Sequence, residues 1–234
     1  MAVSAPTAPP DAEQPAPREA RWIRPVLAVV AAVGLLLLGA AGGLLLSGNP
    51  AASPPGVPAL DSVDVGFAQD MTVHHQQAVT MAAWERDHTE DPVLHQLAAD
   101  IEATQTAQIG RMQGWLELWG APSLPTGPHM TWMTEATHEH GPMPAGGAAT
   151  MPGMASDEEL AALRAATGRE LDVLFLQLML RHHEGGAGMM RYAAERAEVP
   201  QVRNLAAQML RSQSAESDTL RRLLAERGGQ PLPL

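Results

Sequence analysis

The 234-residue chain contains no cysteine and no lysine, and aromatic residues make up only 3% of it. Without cysteine there is no disulfide, no thiol nucleophile and no thiolate metal site. The scarcity of aromatics argues against a β-sandwich and against a surface that stacks nucleobases. All 15 bases are Arg and stand against 26 acids, for a net charge of −11. That balance repels a phosphate backbone and excludes nucleic acid as the main partner. What is plentiful is methionine, with 13 residues, and histidine, with 9, while a hydrophobic content of 45% allows a packed core.

Residues 1–20, rich in Pro, Ala and charge, read as a disordered cytoplasmic tail. Residues 21–47 read as a transmembrane signal-anchor. Arg18, Arg21 and Arg24 precede an uncharged apolar run from Pro25 to Leu46. About 20 apolar residues suffice for a helix to cross a bilayer, and basic residues on the N-terminal side keep that end in the cytoplasm. The expected protein is therefore single-pass in the cell membrane, held through residues 25–46, with its C-terminal domain extracytoplasmic. A cleaved signal peptide fits less well, because its apolar region runs about 7–15 residues and no small-x-small site follows Leu46. Residues 48–60 form a linker. The first 47 residues hold three Arg and three acids, so the whole negative charge lies on the exported part, where it attracts cations.

Residues 64–120 match residues 172–228 without a gap at an offset of 108. Asp64 pairs with Asp172, Phe67 with Phe175, Gln69 with Gln177, and Met71 with Met179. His74-His75 pair with His182-His183, Met81 with Met189, Pro92 with Pro200, Gln105 with Gln213, and Gly120 with Gly228. Such self-similarity marks two copies of one supersecondary unit. In the first copy Phe67, Met71, His74, Ala78 and Met81 form a stripe at helical spacing. Pro92 suits the first turn of a second helix, and Gly120 suits its end. The second copy repeats this with Pro200 and Gly228-Gly229. Ser156 and Glu159 form a capping-box pattern that opens the third helix ahead of the repeat. A hairpin cannot bury its apolar stripe alone, so the expected fold is all-α: the transmembrane helix, then a four-helix bundle built from two repeated helical hairpins. The hairpins span 61–120 and 156–229, a Met/His-rich connection spans 121–155, and a tail spans 230–234. The histidine helices can run parallel or antiparallel.

Neighbouring helical residues point about 100° apart, so His74 and His75 cannot easily share one ion. Met71 lies one turn before that pair, as Met179 lies before His182 and His183, which places a thioether beside imidazoles in each hairpin. Met81 and Met189 lie two turns on, about 10 Å along the axis, where they extend the site or line an approach to it. Four buried imidazoles cost free energy unless each finds a partner, and a metal supplies one. Asp64 and Asp172 read as helix N-terminal acids or, in an antiparallel arrangement, as groups orienting the opposite imidazoles. Gly185, Gly186 and Gly188 weaken a helix interior and imply either a close approach or a kink. In the connection, His129, Met130, Met133, His138, His140, Met143, Met151 and Met154 lie in a stretch with no periodicity to define a buried face, and read as a low-affinity collector of ions. Trp132 reads as packing, and His88 and His95 as surface residues. Thioethers prefer Cu(I) and Ag(I), while imidazole also accepts Cu(II), Zn(II) and Ni(II). The expected ligand is copper, as Cu(I) or Cu(II), with Ag(I) as a second candidate.

The pattern Asp-x-x-Phe-x-x-x-Met-x-x-His-His, with Met six residues after the second His, occurs at Asp64 to Met81 and again at Asp172 to Met189. It resembles the exported bacterial family known as domain of unknown function three hundred and five, over about residues 61–228. The resemblance implies a ferritin-like four-helix bundle outside the cytoplasm and, by analogy with a copper-binding periplasmic member, binding of copper and silver. The second copy departs from the family pattern with a Gly-rich segment after His183.

The leading expectation is a non-enzymatic, membrane-anchored metal-binding protein that sequesters or relays copper, with room for a homodimer or a metal-transport partner. A carboxylate-bridged di-metal oxidase needs Glu-x-x-His on two helices. The second helix has Glu102 followed by Gln105 and the fourth has no His, so that set is incomplete. The remaining alternative is a sensory or protein-interaction bundle whose histidines respond to pH.

Overall fold

The computed structural model describes residues 56–134 and 146–234. The expected tail, membrane anchor and most of the linker lie outside the described residues, as do His138, His140 and Met143. The described part carries five α-helices and no strand. No helix among the described residues is long and apolar enough to cross a membrane.

Helix α1 (Val63–His88) and helix α2 (Pro92–Leu118) form the first hairpin. Helix α3 (Asp157–Ala165) is short, and α4 (Gly168–Arg196) and α5 (Pro200–Glu226) form the second hairpin. The hairpins meet through α1 and α4. Local chemistry sets the boundaries. Ser62 caps α1 by accepting from the Val65 N–H at 3.3 Å. Asp91 caps α2 by accepting from Val93 and Leu94, and Pro92 occupies a first-turn position where no N–H is needed. The chain leaves α2 and α5 through Gly120 (φ 64°) and Gly228 (φ 66°), in the left-handed region that glycine enters at little cost. The Ser156–Glu159 capping box forms, but it corrects the expected third helix. It opens the separate nine-residue α3, which ends at Ala165, and the histidine helix starts afresh at Gly168.

The core has two apolar halves. One contains Phe67 and Met71 of α1 with Met189, Met190 and Tyr192 of α4. The other contains Ala78 and Met81 of α1 with Phe175, Leu178 and Met179 of α4. Along α1 the first half precedes the second, and along α4 the order is reversed. The histidine helices are therefore antiparallel, and all four paired histidines fall between the halves at a polar waist.

The described methionines of the connection pack into the core rather than facing solvent. Met130, Met133 and Met151 are each 3% exposed and sit in the first core half, with Met154 packed against it. Asp70, buried on α1, accepts from His129 Nδ1 (2.7 Å), the Met130 N–H (2.7 Å) and Trp132 Nε1 (2.8 Å). Trp132 stands edge-on to Phe67 and Tyr192. One buried carboxylate thus ties the start of the connection to α1, and a sequence without periodicity acquires a buried face. On the far side of the undescribed segment, Gln77 exchanges two hydrogen bonds with Ala155, at 2.9 and 2.7 Å.

Candidate metal site

His74, His75, His182 and His183 are each at most 1% exposed. His74 and His182, from opposite hairpins, overlap with ring centroids 3.8 Å apart. His75 and His183 flank them, at 6.5 Å and 6.4 Å from their chain neighbours. Close approach is possible because Gly186 lacks a side chain: a Cβ there would stand 2.9 Å from His74 Cε1. At Gly185 a Cβ would meet the Pro152 carbonyl at 2.4 Å, so the end of the connection lies directly on α4. Of the two explanations for the glycines, close approach holds at both positions.

Each imidazole uses Nε2 in the same way. His74 Nε2 donates to the Pro152 carbonyl (3.2 Å), and His182 Nε2 to the His74 carbonyl (2.9 Å). His75 Nε2 donates to Gln108 Oε1 (2.8 Å), and His183 Nε2 to Glu216 Oε2 (2.8 Å). All four partners are oxygens with no proton to give, so Nε2 carries the hydrogen and Nδ1 carries the lone pair. None of the four Nδ1 atoms bonds to another protein group. Burial, foremost, lowers His74 to about 4 and His75 to about 3, and drives His182 well below its ordinary value. His74, His75 and His182 are thus neutral, with one N–H held by an oxygen and the other nitrogen free, which is the form that ligates metals.

Gln108 and Glu216 escaped the sequence reading. They stand 108 residues apart, the repeat offset, and each lies 33 residues after its histidine. That shared spacing is the signal by which they were findable. The orienting role considered for Asp64 and Asp172 belongs to these two instead. Asp64 accepts from the Glu198 (3.0 Å) and Val199 (2.9 Å) N–H groups, supplying the cap that α5 lacks from its own N-cap residue. Asp172 accepts from the Thr89 hydroxyl at 2.8 Å, at the turn of the first hairpin. Each acid thus clasps the turn of the opposite hairpin and touches no imidazole.

The methionines divide around the waist. Met71 and Met189 lie in one core half and Met81 and Met179 in the other, so the two repeat-matched thioethers approach from opposite sides. All four are at most 1% exposed. Among the described residues no three His, Asp or Glu side chains converge to hold an ion. The available donors are paired imidazoles supplemented by thioethers, a soft set that suits monovalent Cu(I) or Ag(I) better than Zn(II). His129 is committed to Asp70, whereas His88 and His95 are exposed, His88 stacking on Trp84.

Comparison with known proteins agrees with this architecture. A putative secreted protein of Streptomyces coelicolor is 43% identical, with a TM-score of 0.67 over 75% of this chain and all of that one. A fragment from Deinococcus radiodurans is 30% identical, with a TM-score of 0.56 over 70% of this chain and 96% of its own. CopM in its Cu(I)-bound form is 26% identical, with a TM-score of 0.54 over 71% of this chain and 98% of its own, and it has also been solved with Cu(II) and Ag. An uncharacterized protein of Acanthamoeba polyphaga mimivirus is 37% identical over 54 residues, and the chain spans only 36% of that relative. The model of the domain of unknown function DUF305 matches residues 64–224, and the chain belongs to that family.

Proposed function

We propose that this protein binds copper as Cu(I), and silver as Ag(I), outside the cytoplasm, and sequesters or relays the ion without acting on a substrate. Its attachment to the membrane through residues 25–46 is part of the same proposal and rests on the apolar run and its basic flank. The observation that carries the reading is the set of four buried Nδ1 lone pairs with no protein partner, at a waist flanked by buried thioethers. An uncompensated buried polar atom costs about 1–3 kcal/mol, and a bound soft cation removes that cost. The similarity to CopM, solved with both metals, supports the choice of ion. The pH-sensing alternative is weakened, because His74 and His75 are lowered to about 4 and 3 and do not titrate near pH 6.

The test is competition titration of the full-length chain with Cu(I), Ag(I), Cu(II) and Zn(II), beside the double variant His74→Leu/His182→Leu. Leucine fills similar space and leaves no orphaned nitrogen at either position. The expected result is tight binding of the monovalent ions by the wild type and a loss of at least 100-fold in the variant, with helical content retained. Equal affinity in the two proteins rejects the waist as the site.

A further inference from the structure

The waist is buried, so an ion needs a way in, and the two hairpins do not offer the same one. Between α4 and α5 lies a cleft of about 210 Å³, lined by His183, Glu184, Arg191, Gln213, Ser217 and Arg221 among others. Two buried polar groups with unbonded atoms border it. His183 is 1% exposed and has a free Nδ1, and Gln213 is 4% exposed with neither amide atom bonded. Glu184 on α4 and Arg221 on α5 also line the cleft and bridge it with a 2.5 Å ion pair, their side chains 24% and 46% exposed. Inward from the cleft His183 leads to His182, 6.4 Å away, and His182 overlaps His74.

The repeat shows that this chemistry belongs to the second hairpin. At the offset of 108, Glu184 and Arg221 correspond to Gln76 and Gln113, Ser217 to Ile109, and the Glu216 carboxylate behind His183 to the Gln108 amide. The first hairpin therefore places neutral and apolar groups where the second places the Glu184–Arg221 ion pair, a hydroxyl, the Glu216 carboxylate and, in place of Ala83, the Arg191 guanidinium. A cation crossing low-dielectric surroundings is favoured beside carboxylates, and a partly exposed ion pair is weak enough to open.

We propose that the α4–α5 cleft is the passage by which the metal ion reaches and leaves the waist, with His183 as its first internal ligand and the Glu184–Arg221 pair as the gate. The proposal rests on the metal-binding reading and assigns that site its route. It is tested by stopped-flow uptake of Ag(I), supplied as the nitrate in chloride-free buffer, by the full-length chain. Ser214, exposed on the rim of the cleft, is changed by Ser214→Trp, and its counterpart on the first hairpin by Thr106→Trp. Uptake at least tenfold slower for Ser214→Trp, with unchanged stoichiometry and Tm, and wild-type uptake for Thr106→Trp, is the expected outcome. Arg221→Ala is expected to speed uptake and release several-fold. Equal rates in the wild type and both tryptophan variants overturn the passage while leaving the metal site standing. If Ser214→Trp does not fold, Arg221→Ala decides alone, and an unchanged rate overturns the gate and passage together. Failure of the wild type to take up Ag(I) at all rejects the metal-binding reading itself.

Discussion

At the scale of single residues, Glu85 is the clearest case of an ionisable group shaped by its surroundings. It is fully buried on α1, and burial first, then the neighbouring Asp172 carboxylate, push its carboxyl up to about 8. The folded protein holds this proton until about pH 8, whereas the unfolded chain releases it near 4.5. Between those values the unfolded state binds fewer protons, so stability from this group falls as pH rises. Glu85→Gln keeps the shape without the titration. The wild type is expected to lose about 1 kcal/mol between pH 7 and pH 9, and the variant to show a flat profile there by urea denaturation. The glycines give a paired test. A Cβ at Gly185 would stand 2.4 Å from the Pro152 backbone, whereas at Gly114, inside α2, it meets nothing within 4 Å. Gly185→Ala is expected to cost about 1–3 kcal/mol, and Gly114→Ala to add about 0.5–1 kcal/mol. Opposite shifts in Tm check both.

Among the elements, the connection is where sequence pattern and structure part company. Helix periodicity reveals a buried face only where a regular helix exists, and residues 129–133 have no such regularity. The burial of Met130, Trp132 and Met133 comes from a tertiary anchor, Asp70, which sits on α1 some 60 residues upstream and accepts three hydrogen bonds. Nothing local to Met130 or Met133 encodes that partner. Asp70→Ala leaves the Trp132 Nε1–H and the Met130 N–H buried without an acceptor. A loss of about 2–4 kcal/mol is expected, since each orphaned donor costs about 1–3 kcal/mol. Hydrogen exchange should rise first at residues 129–133, well before the amides of α1, and uniform protection across both segments would refute the anchoring role. The hairpins, by contrast, were legible. Proline at N1, glycine at the ends and the offset of 108 each act locally, and the structure retains all three.

For the molecule as a whole, the repeat disclosed the pairing of histidines but not their direction, which follows from the order of the core halves along α1 and α4. Antiparallel packing makes the waist pseudo-symmetric and sends Asp64 and Asp172 to the hairpin turns, which two helical stripes in isolation could not reveal. It also fixes the proton balance of binding. His74 and His75, lowered to about 4 and 3, and His182, lowered well below its ordinary value, are already neutral at pH 7. The unfolded chain takes up protons at these positions below about 6.5, whereas the fold resists until about 4. The metal-free protein should therefore lose stability steadily as pH falls through that window. A metal ion binding to the folded state has no proton to displace from His74 or His75 until pH approaches 4. An exposed histidine site loses affinity from about pH 6.5 downward, because the proton competes for the lone pair. Silver affinity measured by competition at pH 7.5, 6.0 and 5.0 should stay constant within about twofold for this protein while its Tm declines. A tenfold loss of affinity between pH 7.5 and 5.0 would mean that the ion is held by solvent-facing imidazoles rather than by those at the waist.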